Sequence, residues 1–508
     1  MQLATLLAAL EQPPISIDPA VLHQRYEITA LAYDSRKVVA GSLFVAVPGT
    51  HTDGRHYLHD AAQRGALVAL GEPLEHMSEP FSCPLPYIAV SDVRTSLANL
   101  SCAFYSYPTQ QLYTIGITGT DGKTTTANLI NTLLEAAGIQ SGLMTTANFK
   151  ICGQEWENAT RQSTLEALEI QQFLRRLLDA QARYAVIEAT SHGLELQRVH
   201  GCAFDIGVVT NITHEHLDFH KTLAAYRRAK ARLFEMLDPE RDKGLGGRPQ
   251  AILHRDDASY EILKPYCRVP ILDYGIDTPA AVRAVDIQLW ASGTSFRVIL
   301  PDAECVIETQ LVGRFNVSNC LAAIATAYSQ GIALATIQHG LASIKGIAGR
   351  MEHISVGQPF DVIVDYAHTP DSLQKVLATL RPLTRGKLMA VFGSAGERDS
   401  QKRPIMGKIA AQMTDFFVLT DEDPREEDRE HILNEIAMGA DSAGKCRGKD
   451  FLCIPDRREA IAATFALAQK GDTILLAGKG HEQSIIIGRE KLPWDERKIA
   501  QELLKTYV

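Results

Sequence analysis

A glycine-rich stretch, Gly119-Thr-Asp-Gly-Lys123, follows an apolar run directly and is itself followed by Thr124 and Thr125. A strand, a glycine turn and a helix in that order aim backbone N–H groups at an anion. Lys123 would contact the outer phosphates of a nucleotide, and the hydroxyl of Thr124 or Thr125 would ligate Mg²⁺. Ile117 stands where the strict phosphate-loop pattern has its first glycine, so a glycine turn with a chance lysine is the alternative. We favour nucleotide binding, by the loop residues Gly119, Thr120, Asp121, Gly122, Lys123, Thr124 and Thr125.

Further polar residues follow apolar runs elsewhere in the same part of the chain. Glu188 closes the run Tyr184–Glu188, and three histidines with two acids lie in Thr210–His220. Near a phosphate loop, Glu188 and His216 would ligate Mg²⁺ or, since histidine is an uncommon Mg²⁺ ligand, Zn²⁺. The alternative is that these residues cap helices and face solvent around a turn. Lys230 lies on a predicted basic helix whose charges are typical of a solvated face, so spacing alone gives it no role.

Length and composition limit the class of protein. The 508 residues imply roughly three domains at about 150 residues each. Hydrophobic residues make up 45% and charged residues 22%, which argues against disorder, collagen and coiled coil. The net charge of −9 argues against a dedicated nucleic-acid binder, and nine cysteines without a CxxC pair favour a reducing compartment. We therefore expect a soluble, monomeric, cytoplasmic protein with no nucleic-acid partner.

The elements that position these residues follow from short apolar runs that alternate with helix-period segments. Runs of this kind predict parallel strands covered on both faces, in an α/β fold. Ligands bind outside the carboxyl ends of such strands, where the polar residues lie. We place three domains at residues 1–109, 110–348 and 349–508. The uncharged stretch Phe315–Ile344 is broken by polar residues, and its Ser-Gln-Gly step predicts two buried helices instead of a membrane span.

Eleven motifs occur in one order and carry a specific resemblance. They are TGTDGKTTT, EATSHGLELQRV, TNITHEHLDFH, YRRAKARLF, GRFNVSN, GRME, DYAHTPDSL, VFGSAGERDSQKRP, TDEDPR, DRREAI and AGKGHE. With them the chain resembles the Mur ligase family, most closely the branch that adds the third residue of the peptidoglycan stem peptide. The resemblance implies an N-terminal mixed α/β domain that binds UDP, a central P-loop ATPase-like domain with a mostly parallel sheet, and a C-terminal Rossmann-like domain.

The resemblance also implies roles for individual residues. ATP would be held by the phosphate loop with Asn316, Asn319, Arg350 and Asp365; magnesium would be held by Thr124, Glu188, His216 and Lys230, the last as a carbamate. The UDP end would contact Tyr33, Ser35, Thr50, His51 and Thr52, and the muramoyl dipeptide would contact Ser163, Thr164, Thr190 and Arg198. The amino acid would contact Arg398, Glu422, Asp423, Pro424, Arg425, Gly478 and Glu482.

The activity that the resemblance implies is the ATP-dependent joining of a diamino acid to UDP-N-acetylmuramoyl-L-alanyl-D-glutamate through an acyl phosphate. Another ligase of the superfamily, such as a folylpolyglutamate synthase, is one alternative. A nucleotide-binding pseudoenzyme is the other, but the joint presence of Lys123, Glu188, His216 and Lys230 argues against it.

The identity of the diamino acid depends on the segment Glu422-Asp-Pro-Arg425. In relatives that use meso-diaminopimelate this segment commonly begins Asp-Asn, and its arginine binds the distal carboxylate. Arg425 would therefore favour diaminopimelate, whereas the added charge of Asp423 would favour a terminal ammonium, as in lysine or ornithine. The sequence leans towards the terminal amine. If Asp423 pairs with Arg425, the segment carries no information on the substrate.

Overall fold

A computed structural model describes residues 1–49, 52–76, 83–160, 162–213, 217–290 and 293–507. Within these residues the chain forms three sheets of five, eleven and six strands, one after another along the sequence, and a separate two-stranded hairpin. The fold is mixed α/β, as the apolar runs predict. Each of the three sheets lies within one of the segments 1–109, 110–348 and 349–508, and the boundaries themselves stay a prediction.

The N-terminal sheet has the order β1-β5-β4-β3-β2, in which β1 is antiparallel to β5 and the other pairs are parallel. Its strands are β1 (Ser16–Ile17), β2 (Ala30–Ala32), β3 (Ser42–Ala46), β4 (Ala66–Gly71) and β5 (Tyr87–Ala89). Its helices are α1 (Leu3–Leu7), α2 (Pro19–His23), α3 (Leu58–Gln63) and α4 (Val93–Phe104). The carboxylate of Asp92 starts α4 by accepting the N–H groups of Arg94 and Thr95.

The central sheet has the order β16-β15-β14-β13-β12-β11-β6-β10-β7-β8-β9 and is parallel from β14 to β7. Its strands are β6 (Tyr113–Thr118), β7 (Ser141–Met144), β8 (Asn148–Ile151), β9 (Gln154–Glu157), β10 (Tyr184–Glu188), β11 (Ile206–Val209), β12 (Gln250–His254), β13 (Ile271–Gly275), β14 (Val282–Trp290), β15 (Gly293–Ile299) and β16 (Glu304–Thr309). Its helices are α5 (Lys123–Ala136), α6 (Ala167–Asp179), α7 (Ser191–Glu195), α8 (Leu217–His220), α9 (Leu223–Glu235), α10 (Ser259–Leu263), α11 (Arg314–Ser329) and α12 (Leu334–Ser343).

The C-terminal sheet has the order β17-β18-β22-β19-β20-β21 and is parallel except for β17. Its strands are β17 (Glu352–Ile354), β18 (Asp361–Asp365), β19 (Leu388–Phe392), β20 (Phe416–Leu419), β21 (Phe451–Cys453) and β22 (Thr473–Ala477), and the hairpin is β23 (Ser484–Ile487) with β24 (Glu490–Pro493). Its helices are α13 (Pro370–Leu380), α14 (Lys402–Met413), α15 (Arg429–Ser442), α16 (Arg457–Leu467) and α17 (Glu496–Leu504).

Strand β10 shows why an almost continuous apolar run suits the centre of such a sheet. Tyr184 and Val186 belong to one buried cluster, whereas Ala185 and Ile187 belong to the cluster on the opposite face. Both faces of the sheet are thus covered by helices, and polar residues appear only where the strand ends, at Glu188. Because β10, β6 and β11 are parallel neighbours, the loops that follow them meet at one edge.

The stretch Phe315–Ile344 forms two helices, α11 and α12, as the sequence predicts. The first helix ends at Ser329, and Gly331, two residues later, adopts a φ of +71°, at which a side chain would be strained. In the described residues, no helix combines the length and apolar character needed to cross a bilayer.

A fully buried ion pair ties two loops of the C-terminal sheet together. Arg457 and Glu496 are both 0% exposed, with an Nη2–Oε1 distance of 2.6 Å. The same guanidinium donates to the carbonyl oxygens of Asp421, at 3.0 Å, and Ala477, at 2.7 Å. These carbonyls directly precede Glu422 and Gly478, so Arg457 fixes the backbone of both segments.

Replacing Arg457 with methionine is expected to destabilise the protein by about 3–5 kcal/mol, because Glu496 would remain buried without its charge partner. Equilibrium urea unfolding followed by circular dichroism measures the loss. The double variant Arg457→Met/Glu496→Gln should regain part of it, since the unpaired charge is gone. A loss below 1 kcal/mol in the single variant would contradict this assignment.

Candidate active site

The phosphate loop joins β6 to α5. Two of its positions need glycine, because neighbouring atoms leave no room for a side chain and the backbone φ is positive. Gly119 and Gly122 have φ values of +149° and +82°. A Cβ on Gly119 would lie 1.8 Å from Oγ1 of Thr210, and one on Gly122 would lie 2.3 Å from Oδ1 of Asn319. The helix begins at Lys123, so its free N–H groups point into the loop. The loop therefore has the backbone geometry of an anion site.

Two lysines meet at the carbonyl oxygen of Gly119. Lys123 Nζ donates to it at 3.0 Å and to the carbonyl of Thr120 at 2.7 Å, and Lys230 Nζ donates to it at 2.6 Å. Lys230 is 1% exposed and its amine lies 4.5 Å from the ring centre of Tyr226. A solvated face is therefore the wrong interpretation for Lys230, which lies against the phosphate loop instead.

Glu188 is held at the mouth of the loop by hydroxyl and amide groups. Its Oε2 accepts from Thr124 Oγ1 at 2.9 Å and from the N–H of Thr146 at 3.0 Å, and its Oε1 accepts from Thr146 Oγ1 at 3.0 Å. A buried carboxylate beside a threonine hydroxyl is an oxygen donor set that fits Mg²⁺. His216 lies outside the described residues, so its part in a metal site stays a prediction.

A cavity of about 370 Å³ lies between the central and C-terminal sheets. Three residues of the phosphate loop line it: Asp121, Gly122 and Thr125. The four residues expected around adenine and ribose also line it: Asn316, Asn319, Arg350 and Asp365. Asn319 Nδ2 donates to Asn316 Oδ1 at 3.0 Å. Asp365 accepts the N–H groups of Met351 and Ala367, and burial raises the pKa of its carboxyl group. The structure thus brings these four residues to one cavity beside the loop.

Asp121 connects the phosphate loop to the C-terminal part of the chain. Its Oδ2 lies 3.1 Å from Nζ of Lys375, on α13, and its N–H donates to Oδ1 of Asn211. Burial opposes ionisation of Asp121, but the nearby Lys375 ammonium brings its pKa below the usual value. Both residues line the cavity, so this ion pair forms part of its wall on the side of the loop.

Residues expected around the dipeptide form one cluster beside Glu188. Thr164 Oγ1 donates to the carbonyl of Glu188 at 2.9 Å and lies 3.0 Å from Thr190 Oγ1. Arg198 donates to the carbonyl of Thr164 at 3.0 Å and pairs with Glu166 at 2.7 Å. Ser163 directly precedes Thr164 and is partly exposed. A substrate carboxylate placed here would lie next to the carboxylate of Glu188.

The N-terminal positions are less closely grouped. Tyr33 OH donates to Glu169 Oε1 at 2.8 Å, which joins the N-terminal sheet to α6, and burial with the nearby Glu169 raises its pKa. Ser35 is buried at the start of a short turn, and Thr52 Oγ1 donates to Tyr57 OH at 3.3 Å. Thr50 and His51 lie outside the described residues, so the UDP site stays a prediction.

The amino-acid positions lie on the loops that follow β19, β20 and β22. The N–H of Gly396, two residues before the exposed Arg398, donates to the carbonyl of Asp423 at 2.9 Å. A Cβ on Gly396 would come within 2.0 Å of the Pro424 carbonyl oxygen, which shows how tightly these loops pack. Gly478, at a φ of +102°, lies against the side chain of Glu422.

The partner of Asp423 differs from the one considered from the sequence. Its Oδ1 accepts from Lys479 Nζ at 2.9 Å and from the N–H of Ile486 at 2.9 Å. Arg425 instead lies 3.9 Å from a carboxylate oxygen of Glu397. Pairing of Asp423 with Arg425 is therefore wrong, because the buried lysine lies between Asp423 and Glu482 and takes that place.

Glu422 is a buried residue of the same loops, and one of its carboxylate oxygens is unsatisfied. Its Oε2 lacks a hydrogen-bond partner among the described residues, and burial raises the pKa of its carboxyl group. A buried oxygen of this kind is costly unless a ligand satisfies it. Glu422 is thus suited to accept a hydrogen bond from an ammonium group of the substrate.

His481 makes the free energy of unfolding depend on pH. Burial, with the nearby Arg350 and Arg497, lowers its pKa from 6.5 to about 3, so the folded protein keeps it neutral. The unfolded chain binds the proton first, so stability from His481 is complete above pH 6.5 and is lost as the pH falls towards 3. Between pH 6.5 and 5, the wild type should lose about 1.5 kcal/mol more unfolding free energy than His481→Gln. Parallel urea unfolding at both pH values tests this, and equal losses would contradict it.

Two site residues were not found from the sequence: Thr146, which donates to Glu188, and Lys375 on α13, which reaches the phosphate loop at Asp121. Asn211, which accepts from the N–H of Asp121, lies in the polar stretch Thr210–His220 that the sequence singles out. Thr146 follows β7, so the rule that site residues follow strand ends would have found it. Lys375 gave no signal, because it lies in the middle of a helix and its partner is 254 residues away.

Comparison with known proteins agrees with this geometry. Three family models match: "Mur ligase family, catalytic domain" at residues 27–105, "Mur ligase middle domain" at 117–327, and "Mur ligase, glutamate ligase domain" at 349–480. A UDP-N-acetylmuramyl-tripeptide synthetase from Roseiflexus sp. (strain RS-1) is 47% identical over 484 residues, which cover 94% of each chain.

Two further relatives carry the name UDP-N-acetylmuramoyl-L-alanyl-D-glutamate–2,6-diaminopimelate ligase. The protein from Geobacillus kaustophilus is 39% identical over 481 residues, covering 94% of this chain and 95% of its own. A solved structure has a TM-score of 0.63 and 31% identity, covering 94% of this chain and 95% of the other. The ordered motifs, the phosphate loop beside Glu188 and these similarities lead to one conclusion: the chain belongs to the Mur ligase family.

Proposed function

We propose that this protein is an ATP-dependent ligase that joins a diamino acid to UDP-N-acetylmuramoyl-L-alanyl-D-glutamate in peptidoglycan synthesis. The observation that carries the proposal is the contact of the Glu188 carboxylate with Thr124 of the phosphate loop, at 2.9 Å, beside the Thr164 and Thr190 cluster. This arrangement suits phosphoryl transfer from a nucleotide to a carboxylate. The names of the similar proteins supply the acceptor and the amino-acid class.

In the proposed reaction, an oxygen of the D-Glu carboxylate attacks the γ-phosphorus of ATP, and ADP leaves. The amine of the diamino acid then attacks the acyl carbon, phosphate leaves with the carboxylate oxygen, and the amine loses a proton.

Lys123 would turn from the backbone carbonyls of its loop to the outer phosphates. Thr124 and Glu188 would hold Mg²⁺, with His216 and a carbamylated Lys230 as further ligands. Bound magnesium would neutralise charge on the transferred phosphoryl group.

The third domain would protect the acyl phosphate from water. The Asp121–Lys375 ion pair, at 3.1 Å, supports this role because it joins the phosphate loop to α13. Exclusion of water also strengthens the electrostatic interactions within the closed site. We assign UDP recognition to residues 1–109, ATP binding and acyl transfer to 110–348, and amino-acid capture to 349–508, in a cytoplasmic monomer without a nucleic-acid partner.

For the amino acid, we propose meso-diaminopimelate ahead of lysine and ornithine. The expectation of a terminal amine depended on the negative charge of Asp423 being presented to the substrate. In the structure the Lys479 ammonium lies 2.9 Å from that carboxylate and compensates its charge. Arg425 would bind the distal carboxylate and Arg398 the α-carboxylate, while Glu422 would accept from an ammonium group. The 39% identity to a diaminopimelate ligase supports the same choice.

The test is phosphate release by the purified protein with ATP, Mg²⁺ and the UDP-muramoyl dipeptide. Meso-diaminopimelate, lysine and ornithine are offered separately, and the peptide product is identified by its mass. We expect amino-acid-dependent release that is fastest with diaminopimelate. A folded protein that binds ATP and releases phosphate with none of the three would be a pseudoenzyme or a ligase for another substrate.

A further inference from the structure

Arg94 connects the N-terminal domain to the segment expected around the muramoyl dipeptide. It is the second residue of α4, and its Nη2 donates to the carbonyl of Pro48 at 3.1 Å. Its Nη1 lies 3.6 Å from Oε2 of Glu166, the residue that directly precedes α6 of the central sheet. The roles implied by the family resemblance do not include Arg94 or Glu166. One guanidinium thus contacts both of the domains between which the proposed acceptor, the UDP-muramoyl dipeptide, would extend.

On the side of the N-terminal domain, this contact leads to the residues expected around UDP. Pro48 pairs with Asp53 in an antiparallel bridge, and the N–H of Gly49 donates to the carbonyl of Thr52 at 2.9 Å. These two contacts close a turn that contains Thr52, one of the residues expected at the UDP end. Because Arg94 binds the carbonyl of Pro48, it holds the start of this turn.

On the side of the central domain, the contact leads to the residues expected around the dipeptide. Oε1 of Glu166 lies 2.7 Å from Nη2 of Arg198, and Nη1 of Arg198 donates to the carbonyl of Thr164 at 3.0 Å. The side chains of Glu166, Arg198 and Arg94 are 13%, 17% and 20% exposed, so their charges are screened less than those of a surface pair. One carboxylate therefore joins an arginine of the dipeptide cluster to the arginine that holds the UDP turn.

Other contacts hold the two domains against each other at the same place. Helix α4 packs against α6, and Leu168 of α6 packs against the hydrophobic core of the N-terminal sheet. Oε1 of Glu169 accepts from Tyr33 OH at 2.8 Å and from Lys37 Nζ at 3.1 Å. Loss of the Arg94 guanidinium should therefore release the UDP turn without separating the domains.

Resting on the proposed function, we propose that Arg94 is a positioning residue that holds the UDP end and the dipeptide end of the acceptor site at the spacing that one acceptor molecule needs. A ligand with two linked ends gains affinity from both only if the two sites keep that spacing, because the second end then binds at a high effective concentration. The planar guanidinium of Arg94 presents several N–H donors in a fixed arrangement, so it serves both sides at once better than the single ammonium of a lysine.

The experiment measures the Kd of UDP and of the UDP-muramoyl dipeptide by isothermal titration calorimetry. In Arg94→Met, the Kd of the dipeptide ligand should rise by about tenfold and that of UDP by less than about twofold, because UDP occupies one end only. Arg94→Lys should show a smaller rise for the dipeptide ligand. The matched control is Arg175→Met on α6, which removes an exposed pair with Asp179 and should leave both Kd values unchanged.

Glu166→Gln tests the same contact from the other domain. It weakens the hold on Arg94 and on Arg198, so the Kd of the dipeptide ligand should rise at least as much as in Arg94→Met. The double variant Arg94→Met/Glu166→Gln should not exceed Glu166→Gln by more than about twofold, because both changes act through one contact. When Arg94 alone is replaced, Glu166 keeps its pair with Arg198, so we expect that variant to fold.

Equal rises for UDP and for the dipeptide ligand would overturn the proposal, because Arg94 would then act at the UDP end alone. Unchanged Kd values for both ligands in Arg94→Met would overturn it as well and leave Arg94 a structural residue. Circular dichroism checks that each variant is folded, and if Arg94→Met does not fold, Arg94→Lys and Glu166→Gln decide the matter. A wild type that does not bind the dipeptide ligand would contradict the proposed function, whereas a wild type that binds it, with unchanged variants, contradicts only the role of Arg94.

Discussion

Replacing Glu188 with glutamine is expected to lower amino-acid-dependent phosphate release by about 10³-fold, which corresponds to about 4 kcal/mol of transition-state stabilisation. Glutamine keeps the shape of the side chain and one acceptor oxygen, so the bonds from Thr124 and Thr146 can partly remain. What it removes is the negative charge that would hold Mg²⁺ beside the transferred phosphoryl group. The loss should therefore appear in kcat with little change in the melting temperature.

Two variants serve as controls for this result. Glu195→Gln changes a partly exposed carboxylate of the same domain, which pairs with Arg232 at 3.1 Å, and should leave turnover within about twofold. Thr146→Val removes a hydroxyl that holds Glu188 without removing the charge, and should give an intermediate loss of about tenfold. Full activity in a folded Glu188→Gln protein would refute the metal-binding role of this carboxylate.

Replacing Lys230 with alanine is expected to reduce turnover by about 10²- to 10³-fold. The side chain is 1% exposed and its amine contacts the Gly119 carbonyl at 2.6 Å, so the position lies at the phosphate loop. If the Lys230 ammonium loses a proton, the neutral amine can add to CO₂ to form a carbamate with release of a second proton, so that the cation becomes an anionic side chain that would ligate Mg²⁺. A short carboxylate added to Lys230→Ala should then restore part of the activity.

Lys230→Arg separates the two possible roles, because arginine keeps the cation but does not form the carbamate. We expect it to be as inactive as the alanine variant and not to respond to bicarbonate. Arg228→Ala, a change on the same helix at a side chain that is 49% exposed, is the matched control and should stay active. Activity of Lys230→Arg near that of the wild type would show that the positive charge alone is needed.

The strands of the fold could be predicted because their signal is local. The apolar run Tyr184–Glu188 predicts β10 with the bounds that the structure has, since both faces of this strand are buried and nearly every residue in it is apolar. Glu188, the polar residue that ends this run, lies at the candidate site for the same reason.

The partners of charged side chains could not be predicted, because they depend on contacts between distant segments. Lys230 belongs to a run of basic residues, and only the packing of α9 against β6 shows that its amine contacts the phosphate loop. Asp423 is two residues from Arg425 in sequence, yet Lys479, 56 residues further on, is its partner. Spacing along the chain carries no information about which of two nearby cations points inward.

The transfer of oxygen from substrate to phosphate tests the central claim most directly. The UDP-muramoyl dipeptide is prepared with ¹⁸O in the reacting D-Glu carboxylate and is converted with ATP, Mg²⁺ and the diamino acid. Activation as an acyl phosphate predicts that each released phosphate carries one ¹⁸O atom, because the carboxylate oxygen leaves with it. Phosphate without ¹⁸O, formed together with the peptide product, would contradict activation of the carboxylate by phosphoryl transfer at this site.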